Sequence, residues 1–367
     1  MTITEVLVPA QQVAWLPWAV QYFFYIGSAY GAAVLFALAL FFNHRTSHQL
    51  RTALALVLAI SAMVGPLALT AELHQPGRAW HFFAYLTPWS WMSRGALLLP
   101  LFSMLAVVTA WLYLRSDLRR LAISPSSLAR LLSRLTLGNW EISNGALKII
   151  SLLTLLSGLS IALYTGSEVA VIRSRPLWNQ FTSPLIWFVS AFLGTGGLTL
   201  LLLLLLPVKN VARQDIRFIS KTLSFSALLA CLLFPLWLVN GQGLSLLNHD
   251  IWLWRTGLLM VLLLVSLLAN YRFSGGLWQM AAMSLLSIAA CWYLRWVTIL
   301  DVQTIPRYDA GIYPNPLDWG SAGVLGIVGM AGLWLAMAAV TSEIAAPTDR
   351  TNSSSSFTQA SQGGNHE

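Results

Sequence analysis

Residues 52–94 decide the fold, because a long apolar run, TALALVLAISAMVGPLALTA (52–71), ends abruptly in a polar and aromatic segment, ELHQPGRAWHFFAYLTPWSWMSR (72–94). The apolar run carries no charge and is long enough to cross a hydrocarbon core of roughly 30 Å as a helix. The polar segment concentrates one acid, two histidines, two arginines and three tryptophans. Charges beside hydrocarbon are costly and occur mainly at binding sites and ion pathways. The two segments therefore predict a membrane-spanning helix followed by a candidate functional site.

The rest of the chain repeats the apolar pattern. Of its 367 residues, 57% are hydrophobic and only 9% are charged. A soluble protein with this pattern would need helices buried on every face, so that class is excluded. We predict an all-α, polytopic helical membrane domain over residues 1–340 with about nine transmembrane helices. Their expected ranges are 15–42, 52–73, 91–114, 145–164, 184–206, 218–239, 251–269, 277–299 and 319–340.

The distribution of Lys and Arg predicts the orientation of these helices. Alternate connections and the tail hold fourteen basic residues, and the connections on the other side hold seven. The positive-inside rule then places the N-terminus in the periplasm and the C-terminus in the cytoplasm of a bacterial inner membrane. The net charge of +8 is thus a topology signal, and we expect no nucleic-acid partner. Residues 341–367, rich in Ser, Thr, Gln and Gly, are predicted to form a disordered cytoplasmic tail.

The cysteines and histidines argue against a metal cofactor in this chain. Cys231 and Cys291 lie singly inside apolar runs, without the spacing of zinc or iron–sulfur ligands. The six histidines fall in connections, at the ends of predicted spans or in the tail, whereas axial haem ligation needs histidines within facing helices. We therefore expect neither haem nor a metal site.

The polar segment has the groups that a quinol-oxidising site needs. Such a site requires hydrogen-bond partners for two ring oxygens, an apolar channel for the tail, and an acid or histidine that accepts the released protons. Glu72 is the preferred proton acceptor, and an ion pair closing the hairpin is its alternative role. His74 and His81 are candidate proton carriers, although each would equally suit an interfacial histidine bonded to a carbonyl.

Further candidates lie at the same predicted depth. Gln21 and Tyr22, near the outer end of the first span, are expected to reach the same pocket, and Arg78 lies in the hairpin close to Glu72. Tyr164 offers a phenol hydroxyl to a quinone oxygen. An interfacial aromatic role is the alternative for both tyrosines. Glu168 could continue a proton path to the outside, although a solvated loop acid is its simpler explanation, and the role of a further outer polar group with Asp301 stays open.

Several stretches resemble the NrfD/PsrC family of membrane-anchor subunits, of the polysulfide reductase type. The resemblance rests on WAVQYFFYIGSAYGA (18–32), AELHQPGRAWHF (71–82), PWSWMSRG (88–95), and YTG with RPLWN within residues 164–179. These motifs cover the first five predicted spans. Their order along the chain is fairly specific, whereas the leucine runs are not.

The resemblance implies a subunit that oxidises menaquinol or ubiquinol without haem. It implies two four-helix bundles plus an extra C-terminal helix, with the quinone site in the first bundle near the outer face. Partners would be an iron–sulfur electron-transfer subunit and a molybdopterin catalytic subunit on the periplasmic side. Glu72 matches the family's acidic position, where Asp is commoner, and Tyr164 matches its quinone-site tyrosine. Gln21 stands where other members carry different groups.

The expected mechanism follows from both lines of reasoning. Quinol binds among the first span, Glu72 and Tyr164, its protons leave outward through Glu72 and His74 or His81, and its electrons pass directly to the partner's cluster. The resemblance thus implies that the chain performs the quinol dehydrogenase step of an oxidoreductase complex whose catalytic centre lies in another subunit. Two alternatives stay open: a secondary transporter, which should show a midplane site of broken helices, and a passive structural anchor.

Overall fold

The computed structural model describes residues 13–124, 126–206, 211–272, 276–305, 312 and 315–344. Within these ranges the chain forms nine helices that are long and apolar enough to cross a membrane, and no strand. They are α1 (Pro17–Phe41), α2 (His48–Glu72), α3 (Trp91–Arg120), α4 (Asn144–Ala170), α5 (Thr182–Leu205), α6 (Arg213–Asn240), α7 (Asp250–Tyr271), α8 (Leu277–Arg295) and α9 (Val324–Ser342). The prediction of an all-α, nine-span membrane protein is confirmed.

The helices form two bundles. α1, α2, α3 and α4 pack together as the first bundle, and α5, α6, α7 and α8 as the second. α1 and α5 join the bundles, and α9 lies outside them against α2, α1 and α5. The Trp334 indole on α9 donates to the Ser61 hydroxyl on α2 over 3.1 Å. This arrangement agrees with the two bundles and extra helix that the family resemblance implies.

α1 is the most enclosed helix, because neighbours cover it on every side. Its residues are buried almost without interruption from Ala19 to Ala33. Small residues in the facing helices allow this packing: an added side-chain carbon at Gly65 of α2 would lie only 3.2 Å from the Ile26 backbone nitrogen. Close backbone approach of this kind is how helices associate in lipid, where no hydrophobic force drives them together.

The two ends of the first bundle differ in chemistry. The hairpin end carries residues 73–90, with a turn at Pro76–Arg78 and a short helix at His81–Ala84. The basic end carries the turn Asn43–Arg45 and residues 121–124 and 126–143, which contain the short helix Ser127–Ser133.

Several helices extend beyond their predicted ends. α4 continues to Ala170 and so includes Glu168, which the sequence placed in a loop. α8 passes into a wider turn at Trp296–Leu300 and a tighter one at Asp301–Thr304. Arg295, one of the seven basic residues counted for the outer side although the predicted span 277–299 contains it, lies buried between α1 and α5. An apolar run predicts only the part of a helix that crosses the hydrocarbon core. The helix itself can continue beyond that core through polar residues, so the observed helices are longer than the predicted spans. The predicted tail lies outside the described residues from position 345 onward.

Candidate functional site

A cavity of about 280 Å³ lies at the hairpin end of the first bundle. Its walls come from the last two turns of α2, the short hairpin helix, the first three turns of α3, and α4. They are mostly apolar: Pro66, Leu69, Thr70, Leu73, Ala79, Phe82, Phe83, Met92, Gly95, Ala96, Leu99, Pro100, Ser103 and Tyr164. At the rim, Phe83 is 54% exposed and Met92 is 49% exposed, so the cavity opens onto the outer surface of the bundle. Lipid would lie there.

Tyr164 contributes the phenol ring of the cavity wall. It is buried in α4 and packs against Gly95 of α3 so closely that a side-chain carbon at position 95 would lie 2.0 Å from a ring carbon. Gly95 therefore creates the space in which the ring lies. Ser103, two turns further along α3, also lines the cavity, and its hydroxyl is buried without a hydrogen-bond partner among the described residues.

Tyr164 belongs to a small polar cluster between α4 and α1. Its hydroxyl interacts with the Glu168 carboxyl one helical turn further on. Tyr22 of α1 lies close enough to interact electrostatically with both residues, and its own hydroxyl is buried without a partner among the described residues. The structure thus brings the two predicted tyrosines together and adds Glu168 to them.

Glu72 ends α2 and faces the start of α1. One carboxylate oxygen accepts a hydrogen bond from the Leu16 backbone N–H over 2.8 Å. Leu16 is the residue that caps α1, and its own side chain cannot bond to the free N–H groups there, so the carboxylate supplies the missing acceptor. The other oxygen is buried without a partner among the described residues. Glu72 takes part in none of the ion pairs seen among the described residues, so its alternative role in an ion pair is wrong for that part of the chain.

The remaining candidates lie around this region without converging on one point. Gln21 is buried in α1, and its amide nitrogen has no partner among the described residues. His74 and Arg78 are exposed in the hairpin. His81 is half-buried, with its ring edge-on to Trp80 at 4.0 Å between centroids. Neither Glu72, Gln21, Tyr22 nor the hairpin histidines line the cavity itself.

The arrangement suits a flat, apolar ligand with ring oxygens. The cavity is close to the lower end of the usual range for ligand pockets, roughly 300–1,000 Å³, which is enough for a ring system but not for a long tail. Tyr164, Ser103 and Thr70 are the hydroxyl-bearing residues of its lining, and Glu168 interacts with Tyr164. Within the described ranges no three His, Cys, Asp or Glu side chains gather as a metal site would require.

Sequence reasoning missed Ser103 and Gly95 and undervalued Glu168. Ser103 and Gly95 stand in an apolar run like many other small residues, so only the neighbouring helix reveals their role. For Glu168 a signal did exist, because positions 164 and 168 are one helical turn apart and would share a face if the helix continued.

Comparison with known proteins agrees with this architecture. A family model described as "Polysulphide reductase, NrfD" matches residues 5–307. A tetrathionate reductase subunit of Salmonella typhimurium (strain LT2) is 33% identical over 354 residues, covering 92% of this chain and 94% of that protein. A selenate reductase subunit of Mesobacillus selenatarsenatis is 24% identical over 358 residues, covering 86% of this chain and 83% of that protein.

Within the family, the sequence resembles tetrathionate reductase membrane subunits in particular. The opening LPWAVQYFF (16–24) and the nine-span length favour a tetrathionate reductase membrane subunit, and the Salmonella relative agrees with that prediction. The family model covers most of the chain, including every motif on which the resemblance rests. The chain therefore belongs to the polysulphide reductase NrfD family.

Proposed function

We propose that this chain is the quinol-oxidising membrane subunit of a respiratory reductase complex, with tetrathionate as the favoured terminal acceptor. The observation that carries the proposal is the apolar cavity whose wall holds the Tyr164 hydroxyl, backed by Glu168 and Tyr22. The choice of tetrathionate rests on the Salmonella relative, together with the opening LPWAVQYFF and the nine-span length. Menaquinol and ubiquinol both suit the cavity.

The quinol ring enters between α2 and α3 from the membrane side. Apolar walls accept the ring, and its tail stays on the outer surface of the bundle beside Phe83 and Met92. Tyr164 bonds to one ring oxygen, and Ser103 offers a second hydroxyl to the ring. Because both hydroxyls are held by packed helices, binding needs little reordering of the site.

Oxidation of one quinol releases two protons and two electrons. Glu168 can receive a proton through the Tyr164 hydroxyl. Glu72 is the second acceptor at this end, since one of its oxygens has no partner among the described residues. His74 and His81 in the hairpin, beside the exposed Arg78, then carry protons toward the water outside. Gln21 contributes a buried amide to the same end of α1.

The two electrons pass to an iron–sulfur subunit docked at the hairpin end, and from it to a molybdopterin catalytic subunit. Both partners lie on the periplasmic side of a bacterial inner membrane, with this chain's N-terminus facing them and its C-terminus in the cytoplasm. Since protons and electrons then leave on the same side, quinol oxidation by this subunit builds no membrane potential.

The test is Tyr164→Phe in the intact complex in native membranes. Removing the hydroxyl should lower quinol-dependent reduction of the terminal acceptor by about a hundredfold, the usual scale for a positioned proton-transfer group. It should also weaken binding of a hydroxyquinoline quinol analogue. Tyr293→Phe, at the hairpin end of the second bundle, is the matched control and should change neither value.

A passive anchor would behave differently. If Tyr164→Phe assembles normally and keeps full quinol turnover and analogue affinity, the proposal fails. The variant should still reduce the terminal acceptor at the normal rate when an artificial donor supplies electrons without quinol. That result would show that the catalytic subunit is intact.

A further inference from the structure

A second cavity, of about 350 Å³, lies at the basic end of the first bundle. The turn after α1, the starts of α2 and α4, the end of α3 and residues 140–142 enclose it. Three arginines line it: Arg51, Arg115 and Arg119. The one acid among the lining residues is Glu141, whose side chain is 83% exposed. The cavity therefore carries a positive excess that its own walls do not neutralise.

Arg115 is fixed in the cavity wall by neutral groups. It is 3% exposed, and its guanidinium donates to the backbone carbonyls of Thr136 and Gly138 over 2.8 and 2.6 Å. It also stacks on the Trp140 ring, 3.5 Å from the ring centroid. Carbonyl oxygens and an aromatic face orient the cation but leave its charge in place. The acid that acts electrostatically on Arg115 is Glu141, which is exposed and so compensates the buried charge only weakly.

Arg51 is held in the same way. It donates to the Tyr113 hydroxyl over 3.2 Å and to the Thr46 carbonyl over 2.7 Å. None of these acceptors is a carboxylate.

Arg119 adds an unused donor. Its terminal nitrogens reach Glu141 over 3.1 Å and the Trp140 carbonyl over 3.0 Å, whereas its Nε–H is buried without an acceptor among the described residues. Because Glu141 is mostly exposed, the ion pair with it is weak and leaves Arg119 available to a stronger anion.

The lining also has an apolar part. Leu40, Leu112, Ile142 and Leu147 contribute to it, and the ammonium of Lys148, on the same helix as Leu147, lies over the Phe41 ring. The cavity lies at the ends of helices that are long and apolar enough to cross a membrane, and the ends of such helices meet the headgroup region of a bilayer. A ligand that fits both parts of the lining carries a phosphate and an apolar body together.

We propose that this cavity binds one anionic phospholipid, with the phosphate against Arg51 and Arg119 and the glycerol and upper acyl chains against the leucines. A free inorganic anion satisfies the arginines but leaves the apolar part of the lining uncovered. The proposal rests on the basic end of the first bundle and is independent of quinol oxidation at the other end.

Ser116 provides the test, because it lines the cavity, is exposed, and makes no contact that holds the arginines. Ser116→Glu adds a carboxylate to the cavity without removing a guanidinium, and Ser116→Gln is the neutral match. Ser127→Glu adds the same charge at the same end but outside the cavity. The wild-type complex and the three variants are reconstituted in phosphatidylcholine nanodiscs with increasing phosphatidylglycerol, and retained lipid is counted by native mass spectrometry.

The wild type, Ser116→Gln and Ser127→Glu should each retain one phosphatidylglycerol at low fractions of that lipid, whereas Ser116→Glu should need about tenfold more. The midpoint temperature of thermal unfolding should rise with the fraction of phosphatidylglycerol in the same three proteins. Equal retention of phosphatidylcholine overturns the proposal. The proposal is also overturned if inorganic phosphate alone raises the unfolding temperature as much as phosphatidylglycerol does. It is overturned as well if Ser116→Glu retains phosphatidylglycerol like the wild type.

Discussion

At the hairpin end, the first bundle surrounds a cavity with Tyr164 and Ser103, whereas in the second bundle several polar side chains at that end are paired with one another or with backbone carbonyls. In the second bundle the Trp187 indole donates to the Thr298 hydroxyl over 2.9 Å, and the Trp178 indole to the Thr298 carbonyl over 2.6 Å. Arg255 pairs with the buried Asp301 over 2.6 Å. Polar groups in membrane helices can thus either fasten helices together or remain available to a ligand.

The difference gives opposite expectations for mutation. Where a polar group fastens helices, its removal should reduce stability and leave quinol chemistry unchanged. Where it faces the cavity or leads out of it, removal should reduce turnover and leave stability unchanged.

The largest expected effect is on turnover, at Glu72. Glu72→Gln keeps the acceptor for the Leu16 N–H but cannot take up a proton. Quinol-dependent turnover in the membrane-bound complex should fall about a hundredfold, with unfolding in detergent unchanged. Glu141→Gln, an exposed acid at the basic end, is the control and should leave turnover unchanged. Normal turnover in Glu72→Gln would contradict a role of Glu72 as proton acceptor and leave Glu168 in that role.

Next in size is the stability effect of Asp301→Ala in the second bundle. The change leaves Arg255, 31% exposed, without its carboxylate. Breaking a fully buried pair costs roughly 3–5 kcal/mol, and partial exposure of Arg255 should reduce this to about 2 kcal/mol. Reversible unfolding in mixed detergent measures the loss, and the affinity for the quinol analogue should not change. A large loss of affinity would contradict the division between the bundles.

Gly95→Ala tests the position of the Tyr164 ring. The new carbon would collide with the ring, so Tyr164 must move out of its place in the cavity wall. We expect the KM for quinol to rise about tenfold, with some loss of stability from overpacking. Gly257→Ala, at a helical position with no neighbour within 4 Å, is the matched control and should change neither value. An unchanged KM for quinol in Gly95→Ala would mean that Tyr164 is not part of the quinol site.

The smallest effect is expected from Ala96→Leu, which fills part of the cavity without altering a polar group. The affinity for the quinol analogue should fall about fivefold, because the added carbons occupy space that the ring needs. Isothermal titration in nanodiscs measures it. Because Ala96 lines a cavity and not a packed core, stability should stay constant, and a loss of stability alone would mean that the cavity closes in the absence of ligand.

The fold was largely predictable from the sequence, because each apolar run is long enough to specify a span by itself. Helix ends were less predictable: α4 reaches Ala170 and keeps Glu168 on a face shared with Tyr164. Arg295 was counted with the basic residues of the outer side because of its charge, yet it lies buried with one nitrogen bonded to the Trp187 carbonyl. Hydropathy describes local composition and cannot show which neighbour offers a carbonyl to a buried cation.

The candidate site was predictable in part. Tyr22 and Tyr164 follow from type and depth, and they do lie together. The roles of Gly95 and Ser103 depend on how closely α3 approaches α4, which is a property of packing between distant segments. Glu72 caps α1, a contact across 56 positions in the chain that no local pattern reveals.

The most direct measurement is to map the site with a photoreactive quinone analogue. The complex is labelled in native membranes, and cross-linked peptides are identified by mass spectrometry. We expect labels on α3 between Met92 and Ser103 and on α4 around Tyr164, and competition by quinol should remove them. Labels confined to the second bundle, or labels that quinol does not displace, would contradict a quinol site in the first bundle.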